Sequence, residues 1–225
     1  MDDLEEAISL HTEALTLRPL GHPYRSASLD SLGIALYTRV KQSGRMEDLE
    51  EAISLHREAL ILRPLGHPDR PSTLNNLADT LGSRFKQSGR MEDLEDTISL
   101  LREALTLVPL GNPNRSIPLN GLASALSTRS NQTGKMEDLE EAITLHRETL
   151  TLRPLGHPGR SSSLNNLAIV LYSRFKHSER MQDLEEAISC TAKRFLFVLL
   201  ATHIVPHPSA TSPLLWVLAL VNRRG

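Results

Sequence analysis

Apolar residues recur along this chain at helical spacing. Leu77, Ala78, Leu81 and Phe85 follow Leu74 by three, four, seven and eleven residues. Those steps return to one face of a 3.6-residue helix, so an amphipathic helix is predicted there. Its start is placed near Pro71, where Ser26, Ser116 and Ser161 stand in related segments; serine is read as the cap and proline as a first-turn residue. Its end is placed near Gly89, matched by Gly44 and Gly134, because glycine enters the left-handed conformation that closes a helix. Glu179 at the fourth such end predicts a looser turn. A second helix is predicted from about Met46, with Glu47, Asp48, Glu50 and Glu51 complementing its dipole. Leu49, Ala52, Ile53, His56, Ala59 and Leu60 form its main stripe, and Leu55 and Leu62 add a second apolar face. A helix apolar on two sides packs between two neighbours. Pro64 ends it, and Gly66-His67-Pro68 forms a loop. Each helix should have roughly 17 residues and span about 25 Å.

The pattern repeats itself. Met1, Met46, Met91, Met136 and Met181 open near-copies of one phrase, a period of 45 residues. A helical hairpin of this kind cannot bury both faces alone, so stacking is required. The expected fold is all-α: a right-handed superhelical solenoid of hairpins with one continuous core. Residues 1–189 hold an N-terminal half-repeat and about four repeats. The chain enters in mid-unit, which suggests a fragment of a longer array.

Two motifs carry a family resemblance. One is Leu77-Ala78-x-x-Leu81, with copies at Leu32-Gly33-x-x-Leu36, Leu122-Ala123-x-x-Leu126 and Leu167-Ala168-x-x-Leu171. The other is Ala52-x-x-x-His56-x-x-Ala59-x-x-x-x-Pro64. Together they resemble a tetratricopeptide repeat (TPR) array. The Leu-Asn-Asn-Leu-Ala wording is similar to the kinesin-light-chain-like branch. The long unit with Gly-His-Pro is similar to fungal arrays linked to CHAT domains. The chain departs from the pattern in its longer unit, its missing first-helix aromatic, and Thr97 where a small alanine is expected. The resemblance implies a protein–protein interaction scaffold, with the first helices lining a concave groove. Its alternative is a regulatory fragment of a larger signalling protein, a CHAT-type protease or an NTPase-linked one.

Counted from the buried Leu77, the groove face should present Asn75, Asp79 and Ser83. The matching positions are Asp30, Ile34 and Thr38; Asn120, Ser124 and Thr128; and Asn165, Ile169 and Ser173. Amide side chains can hydrogen-bond a peptide backbone, or alternatively satisfy each other or a nearby turn. Positions that vary between copies are the better specificity candidates. Arg39, Arg84, Arg129 and Arg174 share one position. They could bind an acidic partner, but their place beside the buried stripe favours pairing with the acidic start of an adjacent helix.

Composition narrows the function further. A formal net charge of -2 and a pI near 6.5 offer no basic surface for nucleic acid. Cys190 is the single cysteine, which fits a reducing, cytoplasmic location. The histidines lack zinc spacing. His11, His56 and His146 share a core position that holds Leu101 in another copy. His22, His67 and His157 share a loop position that holds Asn112, suiting local turn hydrogen bonds. No metal, cofactor or catalytic site is expected, and the partner should be a protein or peptide.

Residues 190–225 break the pattern. The apolar runs Phe195–Ala201 and Pro213–Val221 are each too short to span a bilayer, so a tail anchor is not favoured. Back-translated with codons chosen among the synonyms and read one base earlier, the tail can give HREALSL followed by RPLGHPHRSTSLSNLAVALGS. That is the missing repeat, in register, with a histidine three periods after His56. The tail therefore reads as an out-of-frame translation of a further repeat.

Overall fold

The computed structural model of the protein describes residues 2–201. Those residues form α1 (Asp2–Thr16), α2 (Arg25–Ser43), α3 (Met46–Ile61), α4 (Arg70–Ser88) and α5 (Met91–Leu107). A short 3-10 turn, Pro113–Arg115, leads to α6 (Ser116–Thr133), α7 (Met136–Leu152), α8 (Arg160–Ser178) and α9 (Met181–Ala201). No strand occurs among the described residues. Helices with the acidic start open at Met46, Met91, Met136 and Met181, as the periodicity predicts. The chain divides into two compact units, Met1–Ala125 and Leu126–Gly225.

In the first unit, Val40 of α2, Leu49 and Ile53 of α3, and Leu77 and Leu81 of α4 make one core cluster. Leu32, Leu36 and Ala52 make another, with Ile8 and Leu15 of α1 and Leu55 of α3 packed on it. Helix α3 thus buries two faces, and Leu55 packs on the second as predicted. Leu62, predicted to join it, follows the last helical residue and is 36% exposed. Ala52, Ala59 and Ala78 are fully buried where helices approach. Gly33 is the closest approach, since a Cβ there would meet the His56 ring at 2.7 Å. In the second unit, Leu139, Ile143, Leu164, Leu167 and Leu171 are buried in the same way.

Helix entry differs from expectation. Tyr24, Asp69 and Gly159 precede the first helical residues, and none caps through its side chain. Ser26 and Ser161 lie inside their helices, and Ser116 opens α6. The work of a cap is shared by other groups. His22, His67 and His157 accept a hydrogen bond at Nδ1 from the backbone two residues on, at 3.2, 3.1 and 3.0 Å. Asn112 Oδ1 does the same at 2.9 Å, which explains why it can replace histidine. Arg25, Arg70, Arg115 and Arg160 donate to the backbone carbonyls of Arg18, Arg63, Val108 and Arg153. Those bonds satisfy acceptors left open at the end of the preceding helix.

Helix exit follows the glycines. Gly44, Gly89 and Gly134 have φ of 70°, 70° and 75°. Glu179 takes the same turn rather than a looser one, with φ 52° and its N–H 2.8 Å from Phe175 O. A side chain in the left-handed region is strained by roughly 1 kcal/mol. Glu179→Gly should therefore raise stability by about 1 kcal/mol, read as a higher urea midpoint at unchanged slope. An unchanged midpoint would show that the turn carries no such strain.

Helix α9 runs without a break through Cys190 to Ala201. The segment after Ser189 carries no glycine or proline before Pro206, so nothing there stops a helix. Cys190 is buried at the position of Leu55, Leu100 and Leu145. Most of the tail, including Pro213–Val221, lies outside the described residues. Among the described residues, no helix is long and apolar enough to cross a membrane.

Candidate partner-binding face

On each first helix the predicted residues stand four apart, so they share a face. Their exposure is not uniform along it. Ile34, Asp79, Ser124 and Ile169, the middle position of each row, are all exposed. Thr38 is exposed too, whereas Ser83, Thr128 and Ser173 are half-buried. Asn75, Asn120 and Asn165 are also half-buried. They do not form one amide ladder: Asn165 Oδ1 accepts from Arg194 at 2.9 Å, and Asn75 Oδ1 is buried without a hydrogen bond.

Asp30 does not belong to this face. It is 7% exposed, and it anchors a buried polar cluster. Its Oδ1 lies 2.9 Å from His56 Nδ1, and its Oδ2 receives Thr73 Oγ1 at 2.9 Å and the Arg63 guanidinium. Burial alone would raise this carboxyl. The His56 and Thr73 hydrogen bonds and the Arg63 charge outweigh burial and hold it below the usual range. His56 is core, as its replacement by Leu101 suggests, but it is hydrogen-bonded core.

The structure adds residues that helical counting passed over. Tyr37 of α2 reaches α4, donating its hydroxyl to the Asp79 backbone carbonyl at 3.1 Å. Burial and the Asp79 charge raise the Tyr37 pKa. Lys41 Nζ sits 4.2 Å from the Tyr37 ring centroid, a cation–π contact. Although Asp79 reaches solvent, the protein packed around its carboxyl desolvates it and raises its pKa, partly offset by the charges of Lys41 and Lys86. In the second unit, Lys176 lies 5.5 Å from the Tyr172 ring, and Tyr172 stacks with Phe175. Tyr37 and Tyr172 are equivalent positions, with Gly82 and Ser127 between them. That swing between aromatic and small side chains was the available signal.

The repeated arginines are structural. Each forms a bidentate pair with the acidic start of the next helix: Arg39 with Asp48, Arg84 with Asp93, Arg129 with Asp138, and Arg174 with Asp183, all at 2.6–2.8 Å. Arg39 and Arg84 also hold Glu5 and Glu50, each at 2.6 Å, linking three helices. The guanidinium holds the Asp48 and Asp183 carboxyls below their usual range.

A recess of about 370 Å³ lies between α3, α4 and α5, floored by Leu60, Leu77, Leu81 and Leu100. Arg57 and Asp96 face each other across its rim at 3.9 Å. Its walls present no convergent set of polar groups. Among the described residues, no cluster of three or more His, Cys, Asp or Glu could hold a metal.

Comparison with known proteins agrees with this geometry. A tetratricopeptide repeat family model matches residues 72–105, 119–158 and 160–195. The chain is similar in structure to the nearly identical TPR-like repeats of a Podosopora anserina kinesin light chain, with TM-score 0.60 at 19% identity. That match covers 84% of this chain and 88% of the other. BtubC (BKLC) from P. vanneervenii is similar at TM-score 0.61 and 18% identity, covering 93% of this chain and 79% of that one. YrrB, a TPR protein with an unusual peptide-binding site, is similar at TM-score 0.55 and 15% identity, covering 89% and 84%. No curated protein matches the sequence. The all-helical fold is that of a tetratricopeptide solenoid, and three segments of the chain match the tetratricopeptide repeat model.

Proposed function

We propose that the chain is a protein-interaction scaffold that holds a peptide or protein partner on the inner face of its first helices. The observation that carries this reading is the exposed middle row. Ile34, Asp79, Ser124 and Ile169 are exposed in every copy and range from apolar to charged, while the stripe beside them is nearly invariant. Packing does not dictate these residues, so a partner can. Tyr37 and Tyr172 supply rigid aromatic area beside two of them, the kind of anchor that dominates interfaces. The partner would bind by equilibrium recognition on a mostly preformed surface.

Peptides selected from a displayed random library on the purified chain test this. Ile34→Arg combined with Asp79→Lys should weaken the selected peptides about tenfold or more, while stability stays within about 0.5 kcal/mol. Peptides that bind the double variant as well as the parent would overturn the groove reading. For the tail, we propose the out-of-frame translation of a further repeat. Cys190 at a leucine position supports it. Sequencing of the transcript decides it, and an intact verified frame would end it.

A further inference from the structure

Each turn from a second helix into the next first helix reads Pro-Leu-Gly: Pro19-Leu20-Gly21, Pro64-Leu65-Gly66, Pro109-Leu110-Gly111 and Pro154-Leu155-Gly156. The turn explains the glycine, and the proline stops the preceding helix. The residue after glycine donates its N–H to the proline carbonyl at 3.0–3.2 Å. Glycine has φ between 81° and 91°, so it occupies the third place of a type II turn. Nothing in that geometry asks for leucine at the second place. Yet Leu20, Leu65, Leu110 and Leu155 are 79%, 76%, 83% and 86% exposed. The nearby position 24, 69, 114 and 159 carries Tyr, Asp, Asn and Gly. The copies have diverged beside the leucine without changing it.

In the Met1–Ala125 unit each helix packs on the next, from α1 to α5, so the turns that follow α1, α3 and α5 lie at the same end of the stack. Leu17, Tyr24 and Ile61 extend the apolar surface there, at 72%, 65% and 80% exposure. The arginines of the edge are occupied inside the chain. Arg18 donates to Ser28, Arg25 pairs with Glu58, and Arg70 pairs with Glu103. Such an edge places no demand on a charged partner. At about 100 Å² per large apolar side chain, the six residues offer about 600 Å². A standard interface buries about 800 Å² per partner, of which about 500 Å² is apolar. The edge therefore has enough apolar area for a stable contact.

We infer that this edge is a self-association surface that docks on the same edge of a second copy. A row of like residues repeated at equal steps is self-complementary when reversed, which a two-fold contact requires. The formal net charge of -2 adds little repulsion between copies. The inference does not depend on the inner-face reading.

Sedimentation velocity on the full chain from micromolar to about 100 µM tests it. The parent should form a dimer. The triple variant Leu20→Ser, Leu65→Ser, Leu110→Ser should weaken the dimer about tenfold or more. Helical circular dichroism and melting should not change, since the three side chains touch no core. A parent that stays monomeric overturns the inference. So does a triple variant that dimerises as before, which would place the contact elsewhere, including the apolar tail that both proteins keep.

Discussion

Replacing Arg84 by alanine should destabilise the protein by about 3 kcal/mol or more. The Arg84 side chain is 9% exposed and that of Asp93 is 2% exposed. Removing the guanidinium leaves Asp93 buried with its two best donors gone and frees Glu50 of α3 from its tie to α4. Breaking one partner of a buried pair is worse than never having had it, because the remaining charge stays desolvated. Arg84→Lys should rescue only part of the loss, since ammonium cannot make the fork that spans both Asp93 oxygens. The internal control is Arg57→Ala. Arg57 and Asp96 are half-exposed and 3.9 Å apart, so that change should cost less than about 0.5 kcal/mol. Urea denaturation of the three variants checks the ranking. Arg84→Ala with an unchanged midpoint and lost partner binding would move these arginines from the core to the interaction surface.

The second large effect is a pH dependence seated at His146. This ring is 1% exposed, and its Nδ1 has no hydrogen bond. Burial, with the charge of Arg153 nearby, pushes its pKa down to about 4. The unfolded chain takes up the proton at its ordinary value near 6.5, before the folded chain does. Stability from neutral His146 is thus complete above about pH 6.5 and falls as pH drops toward 4. A shift of that size corresponds to about 3 kcal/mol across the window. His146→Leu should remove this slope, and Leu101 shows that the fold accepts leucine at the equivalent site. Denaturation profiles of parent and variant between pH 7 and 4 should diverge toward acid, with the variant the more stable. Parallel profiles would sink the prediction. The Asp48 and Asp183 pairs act lower on the scale. Their carboxyls are depressed, so their contribution is present above about pH 4 and fades as pH falls further.

Helical periodicity, the 45-residue repeat and the turn chemistry were legible in the amino-acid sequence because each is local. A stripe such as Leu74, Leu77, Leu81 and Phe85 depends only on 3.6 residues per turn. Gly44, Gly89 and Gly134 mark helix ends because only glycine takes positive φ without strain. Comparing copies also worked: His22 and Asn112 exchange because both accept the same backbone hydrogen, and the Arg84 position recurs beside an acidic helix start. The tertiary structure decided what counting residues on one helix could not. Asp30 occupies a groove register, yet His56, Arg63 and Thr73, from 26 to 43 residues away, bury it. Tyr37 is held against α4 because that helix brings the Asp79 carbonyl to its hydroxyl. Periodicity assigns a side chain to a face of its own helix. Burial is decided by which neighbours stack on that face, and their side chains come from distant parts of the chain.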